Sequence, residues 1–131
     1  MTVLSRDQIL AADDRITVRV PVPEWGQDAV VLVSSMSGAE RVAYEDAVAA
    51  LKPDAAHSLR NIVLLVTATV VDESGKPALT VDDAEALLTK NVNVVMRIFR
   101  AAAKLNLITD EAIEAHAKNS GPSPSDSPAS A

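Results

Sequence analysis

Few side chains in this sequence could make or break bonds, and their spacing keeps them apart. His57 and His116 are the only histidines, and neither has a second ligand type at metal-binding spacing on its own helix. Metal or acid–base chemistry needs converging partners, so surface placement accounts for both better. Asp72-Glu73-Ser74-Gly75 sets acids beside a glycine but lacks the repeated oxygen ligands and closing glutamate of a calcium loop; it reads as a turn. The pairs Asp13-Asp14 and Asp82-Asp83 send adjacent carboxylates in diverging directions at helix starts, where they offset the helix dipole instead of sharing a proton. No Walker loop, Gly-rich dinucleotide turn or Gly-x-Ser-x-Gly elbow occurs. Zero cysteines remove thiol catalysis, disulfides, thiolate zinc sites and iron–sulfur clusters together. The sequence therefore points to a non-enzyme with no catalytic, cofactor or metal residues.

Recognition is the remaining chemistry. Trp25 is the lone tryptophan, between Glu24 and Gly26, and it either anchors its turn onto the helices or contacts a partner; so aromatic-poor a core favours the anchor. Lys90, Arg97, Arg100 and Lys104 form a mildly basic helix side that solvation explains.

These residues need elements to hold them. Ser5 with Gln8 fits a capping box, but the apolar stretch behind it ends at Asp13-Asp14, so only a short helical turn is expected. Ile16, Val18, Val20 and Val22 alternate with polar positions and make a half-buried strand, placed at an edge by Pro21 or paired through the side away from it. Glu24 to Asp28 turns the chain, and Ala29 to Val33 completes a hairpin over about 15–35. Ser37-Gly38-Ala39-Glu40 is a second capping box, opening a helix over about 38–51 that Pro53 stops. Apolar residues surround the axis over 55–71, predicting a central, buried helix; its β-branched run Ile62 to Val71 would also suit a strand, but its length and Ala-rich start favour the helix. Thr80 is placed to cap the longest helix, over about 81–106, with Asp82, Asp83 and Glu85 in its first turn. Thr109 can start a short helix over 110–118, and the Ser, Pro and Ala of 119–131 make a flexible tail.

The chain has 131 residues and 13.8 kDa, the length of one domain, expected over 1–118. With 48% hydrophobic but 2% aromatic residues, its core must be Val, Leu, Ile and Ala. The expected fold class is mainly α with a small N-terminal β-hairpin, an α+β arrangement of three to four packed helices with a long one near the C-terminus. A net charge of -6 opposes phosphate-driven nucleic-acid binding. No apolar run reaches the roughly 18 residues of a membrane span, and Arg6, Asp7, Asp13 and Asp14 sit where a signal peptide would be uncharged. A soluble, unexported protein without nucleic-acid or membrane partners is expected.

The order Val20-Pro21-Val22-Pro23-Glu24-Trp25-Gly26, a strand, Ser37-Gly38-Ala39-Glu40-Arg41, Val71-Asp72-Glu73-Ser74-Gly75-Lys76-Pro77 and a helix ending Leu105-Asn106 resembles the tail assembly chaperones of long-tailed bacteriophages and prophages. The likeness spans about Arg15 to Leu107, and Pro77-Ala78-Leu79 departs from it where a bulky apolar residue is expected. The resemblance implies a mainly helical non-enzyme of the bacterial host cytoplasm. It would coat the tape measure protein, keep it soluble, help bring tail tube subunits through a longer frameshifted form, and be absent from the mature virion. A structural tail or connector subunit, which would persist in particles, is the rival. A homo-oligomer through the hairpin edge is a further expectation. The candidate partner-contacting residues are Trp25, Val31 and Val33 around the hairpin, and Ile98 and Leu105 on the long helix.

Overall fold

The valine alternation builds a sheet with one aliphatic face. The computed structural model describes residues 1–54 and 56–108, and in it β1 (Thr17–Pro21) pairs antiparallel with β2 (Val30–Ser34), Val18 opposite Val33 and Val20 opposite Val31. The Val22 amide donates to the Ala29 carbonyl and the Ser35 amide to Ile16, so the even-numbered residues carry the ladder. Pro21 falls between them on an edge strand, and its missing donor costs the sheet nothing.

The sheet has three strands where the hairpin supplied two. The helix expected over 55–71 is α3 (His57–Thr69), and its last two expected residues are instead β3 (Val70–Val71), paired to β2 through Val33–Val70 and Leu32–Val71. Both tendencies in that run are realised in succession. The Thr67 and Thr69 hydroxyls bond back to the carbonyls of Leu64 and Leu65, and the β-branched pair that follows finds the open edge of β2. The chain then turns through Asp72 to Lys76, with Gly75 at φ +86°, and Pro77 bridges back to Val71. The Asp72 carboxylate accepts from the Ser74 hydroxyl and from the Ser74 and Lys76 amides; these bonds, the hydroxyl's first, pull its pKa down. That turn is the acid-rich segment the sequence assigned to no chemistry.

The single helix expected over 81–106 is broken. A 3₁₀ turn, Val81–Asp83, leads into α4 (Ala84–Leu87), and α5 (Val92–Leu105) begins afresh. Asn91 causes the break: its side chain accepts the Asn93 amide at 2.8 Å, a capping bond that Asn makes in preference to interior helix. At the other end Asn106 caps α5 and Leu107 takes a left-handed φ of 57°, which lets the Ile108 amide reach the Ala103 carbonyl. The Asn106 side chain also accepts from Met36 and donates to Ser34, tying α5 to the end of β2.

α3 is the central element. Val63, Leu64, Leu65, Val66 and Thr67 are buried in succession, with α5, α4 and α2 (Gly38–Ala49) packed against the helix, and α5 packed in turn on β1 and β2. Val33, Val63, Leu65, Val94 and Ile98 form its aliphatic interior. Each such side chain contributes about 1.5–3 kcal/mol by burial. Before the sheet stands α1 (Arg6–Ala11), which buries none of its residues. The fold is α+β, mainly helical with a small antiparallel sheet. The helix and tail expected over 110–118 and 119–131, and His116, lie outside the described residues.

Candidate functional site

Arg97, Arg60 and Arg15 each tie separate parts of the chain together. Arg97 of α5 grips both oxygens of Glu24 at 2.8 and 2.7 Å and donates to the Pro21 carbonyl at 3.0 Å, clamping the β1–β2 connection to the helix. The guanidinium holds the Glu24 carboxyl at about 2. Arg97 was expected on a solvated basic face; its role is to position the neighbour of Trp25. Arg60 links Asp54 to Glu85, and Arg15 joins Glu40 to Ser34 and Ser35. Buried polar groups do not converge on open space either. Tyr44 donates to the Asn61 side chain at 2.6 Å, and burial pushes its phenol up to about 12, so it stays protonated. His57 is buried in the first turn of α3, not at the surface as expected, and its ring nitrogens have no partner there. Among the described residues no cluster of three or more His, Cys, Asp or Glu could hold a metal, and no helix is long and apolar enough to cross a membrane.

The arrangement does offer an apolar groove of about 450 Å³ where the β1–β2 connection, the sheet and the α3 and α5 faces meet. Its floor is Val66, Val70 and Ile98; Trp25, Val31 and Leu79 stand at its sides, and Lys90 is the one charged residue on it. A second hollow, about 670 Å³, lies along the sheet and is lined by Arg19, Asp72 and Glu73 as well as valines, a mixed surface that water satisfies. The 450 Å³ groove is the candidate binding site because its lining has few polar groups to desolvate on contact with an apolar partner.

The five residues singled out from sequence meet different fates. Trp25, 39% exposed, and Val31, half-buried, stand in the groove wall. Ile98 belongs to the same groove but at its floor, 1% exposed. Val33 is a correction: it is fully buried between sheet and helices and has no surface for a partner. Leu105 lies two helical turns beyond Ile98, roughly 10 Å along α5, and is not part of the groove. Val66, Val70, Ala78, Leu79 and Leu87 were missed. Leu79 had a signal, since Pro77-Ala78-Leu79 is the stretch that departs from the expected pattern. Val70 had none, because only the pairing of β3 with β2 brings it there.

A family model described as phage tail assembly chaperone matches residues 5–119. Among solved structures, the bacteriophage HK97 tail assembly chaperone matches with a TM-score of 0.56 and 23% identity, over 79% of this chain and 95% of that one; at such identity the likeness concerns the fold. No curated protein matches the chain.

Proposed function

This chain belongs to the phage tail assembly chaperone family, and we propose that it holds an aliphatic helical stretch of the tape measure protein in the groove beside Trp25 while the tail is built. The apolar lining of that groove, on a framework clamped by Arg97 and Glu24, is the observation that supports the reading. A long helical client exposes rows of Leu, Ile and Val before it is packed, and a groove with fixed walls covers them at little cost in ordering. The net charge of -6 keeps such a complex soluble and repels nucleic acid. The work is done in the host cytoplasm, without catalysis, and the protein leaves before the virion is complete. A longer frameshifted form brings the tail tube subunits.

Coexpression with the tape measure protein is the test. The tape measure protein is expected to become soluble and to copurify, and Leu79→Asp, which places a charge at the half-buried groove wall, is expected to cut the recovered complex at least tenfold. A tape measure protein that stays insoluble, or one that L79D retains fully, sinks the reading. Mass spectrometry of purified virions is expected to find no stoichiometric copy of the chain; finding one would favour a structural subunit.

A further inference from the structure

Helix α5 is the positive part of an acidic protein, and it runs beside an open strand edge. From Ala86 to Ile108 the sequence holds Lys90, Arg97, Arg100 and Lys104 and no Asp or Glu, in a chain of net charge -6. Arg97 is engaged by Glu24, but Arg100 and Lys104 are exposed and, among the described residues, have no ion-pair partner. Lys104 lies two turns beyond Arg97 and one turn beyond Arg100, so the three share a side of the helix.

The open edge is that of β1, which among the described residues has β2 as its one neighbour. The even-numbered residues carry the ladder, so the backbone groups of Thr17, Arg19 and Pro21 turn outward. Arg97 donates to the outward Pro21 carbonyl, which sets its side of α5 along this edge. At the far end the Asn106 side chain donates to the carbonyl of Ser34, the residue opposite Thr17. Helix and strand therefore run side by side in opposite directions. Arg97 to Lys104 is roughly 10 Å along the helix, and Pro21 to Thr17 is roughly 13 Å along the strand. Arg100 and Lys104 thus stand level with the unpaired main chain of Arg19 and Thr17.

We infer that β1 takes up an extended acidic segment of another protein as a further strand, with the carboxylates of that segment turned towards Arg100 and Lys104. Main-chain bonds to Thr17 and Arg19 give the attachment, and the cations of α5 give the choice of sequence. The site is separate from the groove beside Trp25 and does not rest on the client reading. Side chains alternate along a strand, so the acids occupy every second position, on the helix side of the sheet. The other face offers no such preference, since Arg19 shares its hollow with Asp72 and Glu73. Asp13 and Asp14 precede β1, which confines the match to Thr17–Pro21. A second copy fits this edge poorly. Two copies of β1 paired antiparallel would oppose Arg19 to Arg19 and bring both α5 helices to one side of the seam, with the Arg100 and Lys104 of each facing the other's.

The probe is a short dye-labelled peptide of alternating glutamate and valine, titrated against the full chain and followed by fluorescence anisotropy. Saturable binding that salt weakens is expected, with a lysine and valine peptide bound at least about tenfold less tightly. Arg100→Glu together with Lys104→Glu is expected to weaken binding about tenfold, and Arg100→Lys with Lys104→Arg to retain it. N-methylation of the valines, whose amides face β1 when the glutamates face α5, is expected to abolish binding; N-methylation of the glutamates is expected to spare it. Leu79→Asp is expected to bind like the wild type. An absence of saturable binding overturns the inference. Binding that survives N-methylated valines reduces it to charge attraction without a strand, and a loss with Leu79→Asp moves the peptide to the groove; either overturns it. Sedimentation showing associated copies that the peptide separates would give the edge to a second copy, which also overturns it.

Discussion

Two helices in this molecule begin with the same local device and end in opposite circumstances. At α1 the Ser5 hydroxyl accepts from the Gln8 amide at 3.2 Å and the Gln8 side chain accepts from Ser5 at 2.9 Å; at α2 the Ser37 and Glu40 bonds are 3.2 and 2.8 Å. The caps are near copies. Yet α2 runs twelve residues and buries Tyr44 and Val48, while α1 stops after six and buries nothing. A cap satisfies the first amides and so fixes where a helix starts, but it adds about 1 kcal/mol. Whether the helix then contributes to the fold depends on the apolar face that follows and on a surface to receive it. Tyr44, Ala47 and Val48 supply that face after Ser37; Asp13-Asp14 cut it short after Ser5.

The comparison can be broken most forcefully in the core. Ile98→Ala on α5 is expected to cost about 2–5 kcal/mol in denaturant unfolding, since a side chain 1% exposed leaves a cavity. Leu10→Ala on α1 is expected to change stability by less than about 0.5 kcal/mol, since the side chain is 68% exposed. A large effect from Leu10→Ala would show that α1 packs on the body of the molecule. Next comes Tyr44→Phe, expected to cost about 1–3 kcal/mol because the buried Asn61 side-chain carbonyl loses its donor, while the side-chain NH2 already lacks an acceptor. Ser37→Ala against Ser5→Ala then compares the two caps directly: about 1 kcal/mol of global stability for the first, and loss of far-ultraviolet helix signal without a change in unfolding midpoint for the second. Equal effects would dissolve the distinction. The smallest effect is one of pH. Glu24 has its pKa lowered from 4.5 to about 2 by Arg97 and lies in the clamped region. A depressed carboxyl stabilises the folded state above its unfolded pKa, and that stabilisation is lost as pH falls from about 4.5 towards 2. Glu24→Gln is expected to flatten the acid limb of a thermal-unfolding profile over that window and to leave its shape near neutrality unchanged.

Much of the fold was legible because it rests on short-range patterns. The valine alternation specifies the hairpin and the face it buries, and the all-round apolar run of α3 makes that helix central. The two capping boxes are visible as Ser-x-x-Gln and Ser-x-x-Glu. The long helix was misjudged because helical periodicity passes through Asn91 without interruption, and only the capping bond shows that the backbone chose to restart there. Val70 and Val71 carried both tendencies, and the vacant edge of β2 decided between them. Of the groove, Trp25 and Val31 could be picked out from sequence. Val33 could not be told from Val31, since both alternate onto the same face and only their distance from the sheet's end separates wall from core.

By itself the sequence determined the make-up of the core: a chain with 48% hydrophobic and 2% aromatic residues packs Val, Leu, Ile and Ala, because those are the apolar side chains it has. It also determined where most elements begin, because caps, prolines and alternation act over three or four residues. The groove was decided by tertiary structure. Trp25, Val31, Val70, Leu79 and Ile98 come from five separate stretches, and the pattern within any one of them cannot encode which others will stand beside it. Their meeting depends on β3 joining β2 and on Arg97 drawing the connection down onto α5, interactions whose partners are tens of residues apart.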